Sequence, residues 1–215
     1  MIPPWVLELC RPAIWLLARL YFGVRFRGVE HLPRRGAVLL VPNHVSYADP
    51  VLASIPIRRP IRYMAWVALF QGRWLGWLIR WAGAFPVRTE ELDRRAPRET
   101  LRLLREGRAV LIFPEGGRSK DGRLQPFKPG AFRLALAAGA PVVPVTIVGA
   151  FEAWPMTRRF PRPGRVTVTY HRPLTAADLP PGSDPKAWPA LMAEAARRAV
   201  ASALPPAFQP DDLTP

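Results

Sequence analysis

The sequence predicts a single α/β domain with a mixed, largely buried sheet flanked by helices and an amphipathic helical segment at its N-terminus. Short apolar runs alternate with segments of helical periodicity along the 215 residues. Glycine, proline and Asp-Pro pairs divide those segments into single elements. The length suits one domain, and neither a repeat nor a shift in composition marks a second. The expected division is an interfacial helical segment at 1–22, one domain at 23–204 and a loose tail at 205–215.

The N-terminal segment mixes Trp5, Leu9, Trp15, Leu16, Leu20, Tyr21 and Phe22 with Arg11 and Arg19. Pro12 divides it into two short helices or stands at a helix start. Trp, Leu and Arg together suit a helix lying at a lipid surface, and equally an amphipathic helix on a core. V-R-F-R-G-V-E (24–30) alternates like a half-buried strand, and A-V-L-L-V-P (37–42) reads as a buried one. Asp49-Pro50 signals a helix start, followed by a short helix through Ala53. Residues 61–66 suit a strand, and 71–83 a helix with Trp74, Trp77, Leu78 and Trp81 at three- and four-residue spacings. A-F-P-V-R (84–88) is extended, and 97–106 forms a helix closed by Gly107. A buried strand at 109–113, a helix at 129–138 and strands at 142–148 and 165–170 come next. Asp184-Pro185 opens a last helix with Trp188, Leu191, Met192, Ala195, Ala196, Ala199 and Val200 on one face.

Composition narrows the partners. Lys and Arg number 31 against 16 acidic residues, for a net charge of +15, and only Lys120, Lys128 and Lys186 are lysines. Such an arginine excess points to an anionic partner: a nucleic acid, an anionic membrane or a phosphorylated substrate. Cys10 is the only cysteine, which excludes a disulfide framework and a cysteine-based zinc site and fits a reducing compartment. The N-terminus lacks the basic region of a signal peptide. The longest uncharged stretch, Leu134–Phe151, contains Gly139, Pro141, Pro144 and Gly149 and so reads as helix end, turn and buried strand rather than a membrane span.

Two loops carry candidate chemistry. In N-H-V-S-Y-A-D-P (43–50), His44 and Asp49 are five residues apart, too far for one face of a straight helix. They can meet only where the strand-to-helix turn curls back, and there the carboxylate would fix the imidazole tautomer. The other reading of Asp49 is a helix cap. In F-P-E-G-G-R-S (113–119), Gly116 and Gly117 allow backbone N–H groups to converge on an anion, and Arg118 adds a planar fork for phosphate. A plain turn with a solvated arginine is the alternative.

Together the two loops resemble the glycerolipid acyltransferase family, whose best-known members are 1-acyl-glycerol-3-phosphate acyltransferases. G-A-F-P-V-R (83–88) resembles its second sequence block, L-Q-P-F-K-P-G-A (124–131) the stretch after its glutamate block, and V-V-P-V (142–145) its fourth block. The resemblance spans residues 24–175. It implies that His44, oriented by Asp49, takes the proton of an acceptor hydroxyl, which attacks an acyl thioester directly. The donor would be acyl-CoA or acyl-carrier protein, the acceptor a lysophospholipid, and neither cofactor nor metal is expected. Arg118 and Arg88 would hold the acceptor's phosphate; Glu115, with Gly116 and Gly117, belongs to acceptor binding or site architecture. Ser46 and Ser119 are read as turn residues, as is His31, with His171 at a strand end.

Two departures bear on the acceptor. Trp66 and Ala68 stand where the family pattern has K-x-E, and Gly117 replaces its threonine. A related lysolipid or an acylated amino-acid lipid is therefore the runner-up acceptor. A basic nucleic-acid binder is the alternative of another class, although RNP-like blocks, zinc spacings and lysine-rich arms are all lacking. A lipid acceptor places the protein at a membrane, as a peripheral or monotopic protein of the cytoplasmic face.

Overall fold

The computed structural model describes residues 4–81, 83–87, 95–210 and 212. Its strands are β1 (Arg25–Arg27), β2 (Val38–Pro42), β3 (Ile61–Trp66), β4 (Ala84–Val87), β5 (Ala109–Leu111), β6 (Val142–Val148) and β7 (Thr167–Tyr170). They form one seven-stranded mixed sheet in the order β1-β7-β6-β2-β5-β3-β4. From β6 to β4 all neighbours are parallel, whereas β7 pairs antiparallel with β6 and carries β1 alongside it. The helices are α1 (Pro4–Phe22), α2 (Asp49–Leu52), α3 (Arg73–Trp81), α4 (Arg95–Arg105), α5 (Gly130–Ala137), α6 (Ala150–Ala153) and α7 (Trp188–Ala201).

The central strand is buried on both faces, as its unbroken apolar run requires. Leu39 and Val41 face one apolar layer, completed by Leu103 and Leu104 of α4, Phe132 and Ala135 of α5, and Met192, Ala196 and Val200 of α7. Val38 and Leu40 face the other, which is covered differently. There the cover is the irregular segment from Val45 to Ile57, with Ala18 near the end of α1. The segment that follows β2 therefore closes the core and positions the site together. Tyr170 locks it by donating its hydroxyl to the Ala53 carbonyl at 3.0 Å.

Three expectations change. Pro12 neither divides nor starts a helix: α1 runs through it from Pro4 to Phe22, with the hydrogen bond that the proline nitrogen cannot donate left out. The alternating run at 24–30 is a strand only to Arg27. Gly28 turns left-handed at φ 66°, where a side chain would collide with the Tyr170 carbonyl, and Val29–His31 is a 3₁₀ turn. The tail at 205–215 is docked where it is described. The Phe208 carbonyl accepts the Leu124 N–H at 3.0 Å, and its ring packs on Phe151. Asp212 forks onto Arg197 at 2.7 and 2.8 Å, supplying the counter-charge that a guanidinium only 6% exposed requires.

Candidate active site

Parallel neighbouring strands deliver the loops at their C-terminal ends to one side of the sheet. Here β6, β2 and β5 are adjacent, and their ends lead to Trp154, to His44 and to Glu115. Buried Asn43 ties two of these ends together: its amide donates to the Ile147 carbonyl at 3.0 Å and accepts the Ile147 N–H at 2.7 Å.

The five-residue gap between His44 and Asp49 closes because the chain curls between strand and helix. Asp49 Oδ2 lies 2.9 Å from His44 Nδ1 and accepts the N–H groups of Val45 and Ser46, both at 2.7 Å. The N-cap position is Ala48, without a side-chain cap bond, so Asp49 organises the turn before α2 instead of capping it. At 0% exposure this carboxylate is fixed by three donors on one oxygen, and His44 Nε2 has no protein partner among the described residues. The imidazole lies flat on Phe113, with ring centroids 3.7 Å apart.

Glu115 is a strut between loops. Its Oε1 accepts the His44 backbone N–H at 2.6 Å and its Oε2 the Gln125 N–H at 3.1 Å. Burial pushes its carboxyl up to about 8, against the opposing pull of those two donors. The Ser119 N–H returns the contact by donating to the His44 carbonyl at 2.8 Å. Gly116 turns at φ 78°, a conformation that a side chain rarely adopts, and a Cβ there would also displace the end of Lys128, whose Nζ would lie 2.6 Å away. A Cβ at Gly117 would meet nothing within 4 Å, so the threonine of the related pattern leaves only open space. The Arg118 guanidinium lies over the Tyr47 ring, 3.9 Å from its centroid. Arg88 and the side chains of Trp74, Leu78 and Trp81 lie outside the described residues. Trp66, at the family's lysine position, is exposed at the end of β3.

The arrangement can take a proton at His44 Nε2 while Asp49 holds the ring. Buried Ser46 and Ser119 are committed elsewhere, Ser46 Oγ donating to the Trp154 carbonyl and Ser119 Oγ to Asp121, each at 2.8 Å. Neither is presented as a nucleophile. Among the described residues no group of three or more His, Cys, Asp or Glu side chains could hold a metal. Sequence reasoning missed Asn43, Tyr47, Phe113 and Trp154 as parts of the site, since their contacts depend on strand order and not on local spacing.

Comparison with known proteins agrees with this geometry. A family model described as Acyltransferase matches residues 23–148. The chain is 35% identical over 192 residues to a 1-acyl-sn-glycerol-3-phosphate acyltransferase of Chlamydomonas reinhardtii, covering 86% of this chain and 54% of that one. It is 29% identical over 173 residues to the enzyme of that name from Bacillus subtilis, covering 80% and 84%. The crystal structure of the 1-acyl-sn-glycerophosphate acyltransferase PlsC from Thermotoga maritima superposes with a TM-score of 0.76 at 26% identity, covering 91% of this chain and 77% of that one. The chain spans about half the length of the algal and plant relatives it matches.

Proposed function

The chain belongs to the acyltransferase family, and from that premise we propose that it acylates 1-acyl-glycerol-3-phosphate to phosphatidic acid in phospholipid biosynthesis. The observation that carries the reading is the His44–Asp49 pair at 2.9 Å, with Nε2 unpartnered among the described residues. The acceptor hydroxyl passes its proton to Nε2 as its oxygen attacks the thioester carbonyl. The new ester C–O bond forms, the C–S bond breaks, and the proton returns to the departing thiolate. Asp49 stabilises the imidazolium that forms between these steps. Arg118, with Arg88, holds the acceptor's phosphate, and the donor is acyl-CoA or acyl-carrier protein.

A lipid acceptor calls for a membrane surface, and α1 supplies a suitable face. Ile14, Trp15, Leu16, Leu17, Leu20 and Tyr21 are exposed around the helix away from buried Ala18, and Arg19 lies over the Trp15 ring. No helix among the described residues is long and apolar enough to cross a membrane. The attachment we propose is peripheral or monotopic, in the cytoplasmic leaflet.

The test is transfer of a labelled acyl group from each thioester to a panel of lysolipids. Preferred acylation of 1-acyl-glycerol-3-phosphate is expected. Preference for another lysolipid or an acylated amino-acid lipid would move the acceptor. Absence of transfer, with salt-reversible binding to random DNA, would overturn the enzymatic reading.

A further inference from the structure

Tyr47 sits inside the His44–Asp49 turn, and the proton transfer makes no use of it. Its neighbours Val45, Ser46, Ala48 and Asp49 are all buried, whereas Tyr47 is 43% exposed. Its hydroxyl makes no hydrogen bond among the described residues, so the ring accounts for its contacts. One contact is the Arg118 guanidinium at 3.9 Å, and the other is the Trp154 ring at 5.4 Å and 46°. The segments after β2, β5 and β6 thus meet at Tyr47, with Arg118 over its ring and Trp154 tilted against it. The Trp154 end is itself fixed: its carbonyl accepts Ser46 Oγ at 2.8 Å, and its indole N–H donates to the Arg158 carbonyl at 3.2 Å.

We propose that Tyr47 is a positioning residue for the anionic headgroup of the acceptor, acting by holding the Arg118 guanidinium flat at a fixed distance from His44. The inference rests on the reading of Arg118 as a phosphate ligand. A guanidinium donates from its edge, in its own plane, whereas an aromatic ring covers only its face. The stack therefore leaves the bidentate fork free for two phosphate oxygens while removing much of the rotamer freedom that binding would otherwise cost. Because ring and imidazole belong to the same turn, the reach from phosphate to reacting hydroxyl is set by three residues of backbone, His44 to Tyr47. An acceptor with its phosphate one carbon from the hydroxyl-bearing carbon fits such a short, fixed reach.

The experiment compares Tyr47→Leu and Tyr47→Phe with the wild-type chain, using lysophosphatidate and an acyl thioester. Tyr47→Leu should raise the acceptor KM about fivefold, the size of a partly exposed cation–π contact. The donor KM and the melting temperature should stay in place, and Tyr47→Phe should rescue the acceptor KM because the ring is what matters. In an Arg118→Ala background Tyr47→Leu should add nothing. Tyr47→Gln, polar and suited to an exposed position, repeats the measurement should the leucine variant lose its melting transition. An unchanged acceptor KM in folded Tyr47→Leu, an equal rise for both substrates, or an additive effect on Arg118→Ala overturns the inference alone. A wild-type chain with no preference for lysophosphatidate over a neutral monoacylglycerol overturns the acceptor reading, and this inference with it.

Discussion

The turn from His44 to Asp49 and the outer half of α1 are opposites in construction. In the turn, one fully buried carboxylate oxygen accepts three donors, and a second carboxylate, Glu115, clamps the His44 backbone from the next strand. From Pro12 to Tyr21 in α1 only Ala18 is buried, while Leu17 is 66% and Leu20 74% exposed. The first region has little freedom, although the second oxygen of Asp49 is buried without a partner among the described residues; the second region has apolar surface that no other described residue covers. Chemistry that must place a proton within a few tenths of an ångström needs the first kind of order. Attachment to a fluid lipid surface needs only the second, because burial of apolar area is not directional.

Removing the proposed base should produce the largest effect and test the turn directly. His44→Ala should lower acyl transfer by at least about two orders of magnitude in a chain that still folds, with a modest loss of stability from the missing Asp49 bond and Phe113 stack. Asp49→Asn should cost comparable or somewhat less activity, but should also destabilise the chain by about 1–3 kcal/mol, since its amide oxygen accepts the three donors without the negative charge and its NH2 takes the buried place of Oδ1, which has no partner among the described residues. Near-normal rates in folded His44→Ala would break the contrast, leaving a rigid turn without a catalytic reason for its rigidity.

A smaller effect is expected at α1, and the structure shows how to isolate it. Deleting residues 1–22 would remove more than the exposed face. The carbonyls of Ala18, Tyr21 and Phe22 accept the N–H groups of Val24, Gly164 and Val166 and so anchor the sheet edge. Leu17→Ser with Leu20→Ser spares those bonds. The double variant should weaken liposome binding on the order of tenfold, reduce activity on long-chain acceptors and leave a short-chain, water-soluble acceptor unaffected. Salt should loosen attachment only partly. Complete release by salt alone would reduce the α1 contact to electrostatics, and protease accessibility from both sides of a sealed vesicle would show a span instead.

The same contrast separates what could be read from the sequence from what could not. Buried strands such as Val38–Pro42 and Val142–Val148 announce themselves as short apolar runs, and His44 with Asp49 stands out by residue type. Whether Asp49 caps a helix or orients His44 is not decidable locally, because both roles place a short acid before a proline. Only the direction of the curl, seen in three dimensions, separates them. Tyr47, Phe113 and Trp154 carry no local signal at all: they meet because β6, β2 and β5 are neighbours. Glu115 was legible as a site residue but not as a strut, since its partners His44 and Gln125 lie on other segments. The tail was misread because its polar, proline-rich composition hides Phe208 and Asp212, whose partners Leu124, Phe151 and Arg197 are distant in sequence.

The expectation that sharpens the comparison most concerns stability and not rate. A region built on buried carboxylates must respond to pH, whereas an apolar face need not. Burial raises the Glu115 carboxyl from the ordinary 4.5 to about 8, despite the donors His44 N–H and Gln125 N–H. Between those two values the folded chain holds a proton that the unfolded chain has released. Stability contributed by this group is therefore full below about pH 4.5, falls as pH rises through the window, and levels off above about pH 8. Glu115→Gln removes the titration. Its amide oxygen still accepts the His44 N–H, but its NH2 faces the Gln125 N–H, a cost independent of pH. The melting gap between wild type and Glu115→Gln should accordingly narrow as pH rises through the window. The Leu17→Ser, Leu20→Ser variant should show no such change relative to wild type. A gap that is constant above pH 4.5 would mean that the two backbone donors outweigh burial and keep Glu115 ionised, so that the strut carries a permanent charge beside His44.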